Sequence, residues 1–157
     1  MSLRVWRICD AKWAVTAFNG QGAKTYGGRW NSIGIAVVYT SSSLALATLE
    51  LLVHLGVKTA PKFHVAIAAD IPEDLLMDFV DQSQLPSHWR DDPSPAALAA
   101  IGEQWVREGK SAVLKVPSAV IDEEWNYLLN PAHSDFAQIT IGTAKSFQFD
   151  ARLFQKR

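Results

Sequence analysis

The sequence is poor in cysteine, in excess charge of either sign and in long apolar runs. It contains one cysteine, Cys9, which excludes an internal disulfide and suits a reducing compartment. Fifteen basic and sixteen acidic residues give a formal net charge of −1, so the basic footprint of a nucleic-acid-binding domain is missing. No apolar run is long enough to span a bilayer, and the first residues lack the apolar core of a signal peptide. We therefore expect a cytoplasmic protein that binds neither nucleic acid nor membrane.

Motifs for metal and for common nucleotide chemistry are also missing. The four histidines lie far apart and no thiolate cluster accompanies them, so no metal site is predicted. The phosphate-binding glycine patterns G-x-x-x-x-G-K-[ST] and G-x-G-x-x-G are absent, and so is the G-x-S-x-G nucleophile elbow. What is present is a 48% hydrophobic composition over 157 residues, which predicts one domain, residues 1–157, with a proper core.

The order of predicted elements is mixed. Strands are expected at residues 3–8, 35–40, 63–69 and 112–116, with one or two more within 139–143 and 147–154. Helices are expected at residues 44–55 and 96–108, with a shorter one at 72–80. The glycine-rich residues 19–23 and 26–28 and the proline-rich residues 85–95 are expected to form loops. Strands outnumber helices with little alternation, which favours an α+β fold, a single domain with flanking helices on a mixed sheet.

Glu50 is unusual because it is the only acidic residue between Asp10 and Asp70. It falls in the middle of the predicted helix 44–55, which is apolar nearly all round, as in buried helices. Glutamate is usually exposed, so a narrow polar stripe that meets water is one interpretation. The other is a carboxylate held in a functional site.

Arg29 has two interpretations as well. It follows Gly27 and Gly28, which permit unusual backbone angles and close approach of a ligand. Its guanidinium could clamp a phosphate with two parallel hydrogen bonds, or it could pair with a surface acid for about 1 kcal/mol at most. Tyr39 and Ser118 have ordinary structural explanations when taken singly, as a core tyrosine and a turn cap.

Five short motifs, taken together, resemble the RES domain family. They follow one another in the family's order: Gly28-Arg29-Trp30-Asn31, Val38-Tyr39-Thr40-Ser41, Ala47-Thr48-Leu49-Glu50, Val116-Pro117-Ser118 and Asn130-Pro131-Ala132-His133. The family is named after an arginine, a glutamate and a serine, which here would be Arg29, Glu50 and Ser118. The resemblance runs from about residue 26 to the closing strands. Ser32 is a departure, since members often carry proline after the R-W-N triplet.

The resemblance implies a fold similar to ADP-ribosyltransferases of the diphtheria-toxin kind. It implies a toxin of a bacterial toxin–antitoxin pair, with an Xre-like antitoxin as partner, that consumes NAD at the bond joining nicotinamide to its ribose without a metal. The acceptor would be water, inorganic phosphate or, in the alternative of an ADP-ribosyltransferase, a protein side chain. A further alternative is a non-catalytic protein in which Arg29 and Glu50 form a structural ion pair. A homodimer is left open.

Residue roles follow from the same resemblance. Breaking the nicotinamide–ribose bond develops oxocarbenium character, which the carboxylate of Glu50 would stabilise. Arg29 would neutralise the pyrophosphate or orient its ribose, and Tyr39 would stack on the nicotinamide ring or bond it. Ser118 would hydrogen-bond near Glu50 or the nicotinamide amide. Arg29 and Glu50 are expected to converge on one cleft, and three more residues are expected to contact the dinucleotide: Trp30, Asn31 and Asn130.

Overall fold

The computed structural model describes residues 1–155, which form one mixed eight-stranded sheet with helices packed on it. The strands are β1 (Ser2–Asp10), β2 (Val38–Ser41), β3 (His64–Pro72), β4 (Met77–Phe79), β5 (Val113–Pro117), β6 (Trp125–Leu129), β7 (Thr140–Ile141) and β8 (Lys145–Phe147). The α-helices are α1 (Gln21–Tyr26), α2 (Leu44–Leu55) and α3 (Ala96–Glu108), and short 3₁₀ helices cover Ala11–Thr16, Gln82–Gln84, Ser134–Gln138 and Ala151–Phe154. The predicted α+β class is confirmed. No helix within residues 1–155 has the length and apolar character needed to cross a membrane.

The sheet has the strand order β4-β5-β6-β2-β1-β3-β7, and β8 also pairs with β3. β4 and β5 are parallel, while the other neighbouring strands are antiparallel. β1 pairs with β3 along its whole length, but it pairs with β2 only through Trp6 and Ser41. Beyond that pair the ladder between β1 and β2 stops, and we call this boundary the seam. The seam divides the sheet into two halves that meet at one residue pair.

Two helices pack on the sheet. α2 packs through Ala47 against Ile8 of β1 and Ala66 of β3. α3 packs through Leu98 in a cluster that includes Leu128 of β6. The connection from β2 to α2 is short, and α2 contacts both β1 and β2.

The two long helices confirm the sequence-based expectation. The Ser43 hydroxyl accepts a hydrogen bond from the main-chain nitrogen of Leu46 and caps α2, which ends at Gly56 with φ 58°. α3 has the predicted bounds and ends at Gly109 with φ 60°. Both C-terminal glycines adopt the left-handed conformation that other residues reach only with strain. Local chemistry therefore defines these helices almost completely.

The predicted helix at residues 72–80 is wrong. Pro72 instead ends β3, where it pairs with Ser2, and residues 77–79 form β4 parallel to β5. The main-chain nitrogen of Val80 continues this contact by donating to the carbonyl of Lys115. The free edge of β5 supplies hydrogen bonds that outweigh the weak preference of a proline followed by two acids for a first helical turn.

Three further differences concern segments whose structure depends on packing. The glycine-rich region expected as loop contains α1, which begins after Gly20, and the main-chain nitrogen of its first residue, Gln21, donates to Asn19 Oδ1. β6 was not predicted, although it lies between β5 and β2 in the sheet. The strand expected at residues 147–154 is wrong beyond its first residue, because β8 ends at Phe147 and a 3₁₀ helix covers Ala151–Phe154. Residues 156 and 157 of the basic C-terminal cluster lie outside the described residues.

Candidate active site

Glu50 lies on α2 and its carboxylate is bonded on one oxygen by two side chains. Oε1 accepts a hydrogen bond from Ser118 Oγ at 2.6 Å and another from Asn126 Nδ2 at 2.7 Å. Oε2 accepts none from residues 1–155. The side chain is half-buried, and it does not simply face water as the first interpretation of the sequence had it. The carboxylate is thus held in one orientation with one oxygen free for a ligand.

Ser118 follows β5 and is fully buried. Its Oγ accepts hydrogen bonds from the main-chain nitrogens of Val120 at 3.1 Å and Ile121 at 3.0 Å. In both of these bonds Oγ is the acceptor, so the single hydrogen of the hydroxyl is donated to Glu50. The 2.6 Å separation is typical of a hydroxyl donating to an ionised carboxylate. Ser118 therefore orients the Glu50 carboxylate.

Asn126 is a site residue that the sequence did not reveal. It lies on β6, and its Oδ1 accepts a hydrogen bond from Ser41 Oγ at 2.7 Å. Since the oxygen of the amide is occupied by Ser41, the amide nitrogen is directed to Glu50. An asparagine inside the apolar run Trp125-Asn-Tyr-Leu-Leu129 was the available signal, because a central strand seldom carries an amide without a partner.

Arg7 is the second residue that the sequence did not reveal. It follows Trp6 on β1, at the point where β1 stops pairing with β2, and its Nη1 donates to the carbonyl of Tyr39 at 3.2 Å. Its Nε is buried without a hydrogen-bond partner among residues 1–155. Desolvation lowers the pKa of the guanidinium, and no described carboxylate forms a salt bridge with it. A desolvated cation without an anion is costly to bury, and an anionic ligand would offset that cost.

Arg29 binds two main-chain carbonyls. Its Nη1 donates to the oxygen of Trp89 at 2.8 Å and to that of Asp91 at 3.0 Å. No salt bridge joins Arg29 to Glu50, whose hydrogen bonds go to Ser118 and Asn126. The proposed structural ion pair between these two residues is therefore not formed. The guanidinium keeps donors that these carbonyls do not use.

The loop that carries Arg29 is fixed from inside by Asn31 and Tyr39. Tyr39 Oη donates to Asn31 Oδ1 at 2.6 Å and accepts from the Trp30 nitrogen at 3.1 Å. The amide nitrogen of Asn31 lies within hydrogen-bond distance of three carbonyls, those of Ala23, Ser32 and Ile35, which share its two hydrogens. A side chain on Gly28 would place its Cβ 2.6 Å from Tyr39 Oη, so this position requires glycine. Burial raises the pKa of Tyr39, which keeps its hydroxyl protonated as a donor.

Helix α3 packs against the loop that carries Arg29. A Cβ on Gly102 would lie 1.7 Å from the Trp30 carbonyl oxygen, so helix and loop are in direct main-chain contact. The indole of Trp30 is buried beside this contact, with 2% exposure. Ser32 Oγ donates to Glu103 Oε2 at 3.3 Å. This hydrogen bond is a second link between the loop and α3.

The structure brings some of the predicted residues together and separates others. Glu50 and Ser118 are in contact, and Tyr39, Asn31 and Trp30 form one hydrogen-bonded group beside Arg29. Asn130 follows the other end of β6, four residues and about 13 Å of strand from the amide that bonds Glu50. Its side chain accepts from the nitrogen of Ala132 within the turn. Ligand contacts of Trp30, Asn31, Tyr39 and Asn130 stay predictions.

Comparison with known proteins shows the family of this chain. The family model described as "RES domain" matches residues 4–150. The chain belongs to the RES domain family. This RES domain is similar to the "Prs ADP-ribosylating toxin" of Sphingobium sp. (strain YBL2), with 36% identity over 99% of each chain. It is also similar to "Toxin Res" of Photorhabdus laumondii subsp. laumondii, with 37% identity over 98% of each chain.

A solved structure shares the fold. The crystal structure of the M. tuberculosis MbcT–MbcA toxin–antitoxin complex contains a chain that superposes with a TM-score of 0.72. The superposition covers 98% of the RES domain and 87% of the other chain at 15% sequence identity. At this identity the match establishes the common fold, with the mixed sheet and its flanking helices.

Proposed function

We propose that this RES domain is the toxin of a bacterial toxin–antitoxin pair and depletes NAD by cleaving the nicotinamide–ribose bond. The observation that carries the proposal is the Glu50 carboxylate, held on Oε1 by Ser118 and Asn126 with Oε2 unoccupied by the described residues. A cleft that stabilises a ribosyl cation needs such a carboxylate. The family membership and the names of the similar toxins support the same conclusion.

Glu50 would stabilise the positive charge that develops at the ribose carbon as nicotinamide leaves. Its preorganised hydrogen bonds mean that the carboxylate needs no reorientation when this charge appears, and one such well-placed group contributes about 3–4 kcal/mol to catalysis. Nicotinamide departs with the electron pair of the glycosidic bond. With water as acceptor, the ribose carbon gains a hydroxyl, a proton is released and ADP-ribose forms.

Arg7 and Arg29 would bind the dianionic pyrophosphate. Arg7 supports this role because its guanidinium is desolvated and its Nε lacks a partner, so a phosphate oxygen would satisfy both its charge and its hydrogen-bonding capacity. Arg29 lies beside Tyr39 and keeps free donors after bonding the carbonyls of Trp89 and Asp91. We assign Trp30, Asn31 and Tyr39 chiefly to holding the Arg29 loop, with Tyr39 also facing the nicotinamide.

Product analysis tests this proposal. Purified protein is incubated with NAD alone, with NAD and inorganic phosphate, and with NAD and a bacterial lysate, and the products are resolved by chromatography. Nicotinamide with ADP-ribose indicates hydrolysis, and nicotinamide with phosphorylated ADP-ribose indicates phosphorolysis. If NAD is unchanged in all three incubations at high protein concentration, the proposed NAD-cleaving activity is refuted.

Transfer of ADP-ribose to a protein is a second candidate function. A relative with 36% identity over the whole chain is named an ADP-ribosylating toxin, which favours it. The chemistry at the ribose is the same, and only the acceptor differs. With NAD labelled in its adenylate part, this activity would leave label on a lysate protein after denaturation, while hydrolysis would leave all label in small molecules.

A further inference from the structure

A segment outside the predicted site joins Arg29 to Ser118. We call residues Pro86–Asp91 the strap. Two main-chain turns shape it, since the nitrogen of Trp89 donates to the carbonyl of Pro86 and that of Asp91 to the carbonyl of His88. The Trp89 side chain anchors the strap in the core with 7% exposure. At this anchor, Arg29 Nη1 donates to the carbonyls of Trp89 and Asp91.

Arg90 extends from the strap to the turn after Ser118. Its Nε donates to the Ala119 carbonyl at 2.9 Å and its Nη2 to the Val120 carbonyl at 3.1 Å. Its Nη1 lies 3.3 Å from Asp122 Oδ2, and both of these side chains are nearly half exposed. An exposed ion pair of this kind adds little stability, so the bonds to the two carbonyls are the distinctive feature of Arg90.

The carbonyls of Ala119 and Val120 belong to the turn that orients the Ser118 hydroxyl. Val120 is bonded by Arg90 at its carbonyl, and its nitrogen donates to Ser118 Oγ. Ser118 Oγ in turn donates to Glu50. A shift of this turn would therefore move the hydroxyl that orients the carboxylate.

We propose that Arg90 is a positioning residue, which fixes the Ser118 turn to the strap and thereby sets the Glu50 carboxylate relative to Arg29. The inference rests on the proposed function. It requires that Arg90 touch neither NAD nor Glu50, and that its effect pass through the turn at residues 118–121. A displacement of a catalytic group by about 1 Å can reduce the rate about 100-fold, so such a tie can govern turnover.

The test compares Arg90→Ala with Arg4→Ala. Arg4 is a matched control because it also bonds through Nε and a terminal nitrogen to a residue distant in sequence, Asp70, and is likewise partly exposed. For Arg90→Ala we expect kcat for NAD consumption to fall about 10-fold or more with KM changed less than about 3-fold. The Arg4→Ala variant should keep both constants. Arg90→Lys, whose single ammonium cannot reproduce the planar two-point contact, should lie between wild type and Arg90→Ala.

A second measurement works without turnover. Hydrogen exchange of the Val120 and Ile121 amides, which donate to Ser118 Oγ, should become about 10-fold faster in Arg90→Ala and stay unchanged in Arg4→Ala. If Arg90→Ala does not fold, Arg90→Lys takes its place in both measurements. Wild-type kcat in the Arg90 variant, or lowered kcat with unchanged exchange of both amides, would overturn the inference. Failure of the wild type to consume NAD would instead refute the proposed function.

Discussion

At the scale of single residues, the site depends on how each charge is compensated. Glu50 is a carboxylate stabilised by two neutral donors, and Arg7 is a cation stabilised by one carbonyl and by no described acid. Neutral partners orient a charge without cancelling it, so both groups keep most of their electrostatic effect for a ligand. An ion pair between them would have removed that effect.

Replacing the carboxylate of Glu50 separates catalysis from stability. Glu50→Gln keeps an oxygen that Ser118 and Asn126 can bond and removes only the negative charge. NAD consumption should fall about 100- to 1,000-fold, as for loss of one preorganised electrostatic group. The melting temperature should change little, because both hydrogen bonds persist.

The measurements for this variant are NAD consumption and thermal unfolding. Glu108→Gln is the control, since Glu108 is an exposed helical carboxylate bonded by Gln104 and Lys110. Equal loss of activity in both variants would contradict the role of Glu50, and loss of folding in Glu50→Gln would favour a structural role.

Arg7→Met tests the desolvated cation. Methionine fills similar volume without a charge, so removal of the unpaired cation should offset the lost bond to the Tyr39 carbonyl and leave the free energy of unfolding within about 1 kcal/mol. KM for NAD should rise about 10-fold or more, corresponding to one charge-assisted bond. Arg4→Met on the same strand is the control. A strongly destabilised Arg7→Met with unchanged KM would show that Arg7 serves the fold.

At the scale of elements, α3 holds the Arg29 loop through a contact between main chains. Gly102 has no room for a side chain, because its Cβ would overlap the Trp30 carbonyl. Glycine in the middle of a helix is about 1 kcal/mol less favourable than alanine. The packing that Gly102 permits between α3 and the loop must more than compensate for this loss of helix stability. The helix thus contributes to the site without touching it.

Gly102→Ala should therefore destabilise the fold, although alanine is the better helix former. We expect a loss of about 1–3 kcal/mol, as for overpacking, and a lower rate of NAD consumption because the loop is displaced. Denaturant unfolding and NAD consumption measure the two effects. Gly22→Ala in α1, where a Cβ meets nothing within 4 Å, should be neutral or stabilising. A stabilised Gly102→Ala would contradict the contact.

At the scale of the molecule, the site lies where α2, β6 and the segment after β5 meet. β1 and β2 pair only at Trp6 and Ser41, and beside that pair Arg7 donates to the carbonyl of Tyr39. α2 brings Glu50 to Ser118 and Asn126, and the strap connects Arg29 to the turn after Ser118 through Arg90. A partner that covers the Glu50 carboxylate would block the site.

A partner antitoxin should silence the enzyme by covering this site. NAD consumption by the saturated complex with the product of the neighbouring gene should fall to background, because the dinucleotide could no longer reach Glu50. Glu50→Gln should bind that partner as tightly as the wild type, since binding does not require turnover. Unimpeded cleavage in the saturated complex would refute this mode of inhibition.

The sequence alone determined the parts that local chemistry specifies. Ser43 and Gly56 define α2, Gly109 ends α3, and the motifs around Arg29, Glu50 and Ser118 identify the family. These signals lie within a few residues of what they determine, so they can be read without the fold.

Only the tertiary structure decided which side chains meet at Glu50. Ser118 and Asn126 are 68 and 76 residues away in sequence, and they reach the carboxylate because β6 and β5 pair in turn beside β2, which leads into α2. Arg7 is distinctive only because β1 and β2 part beside it, and β4 forms only because β5 presents a free edge. Such partners are selected by burial and hydrogen-bond satisfaction across the folded chain, which no local pattern encodes.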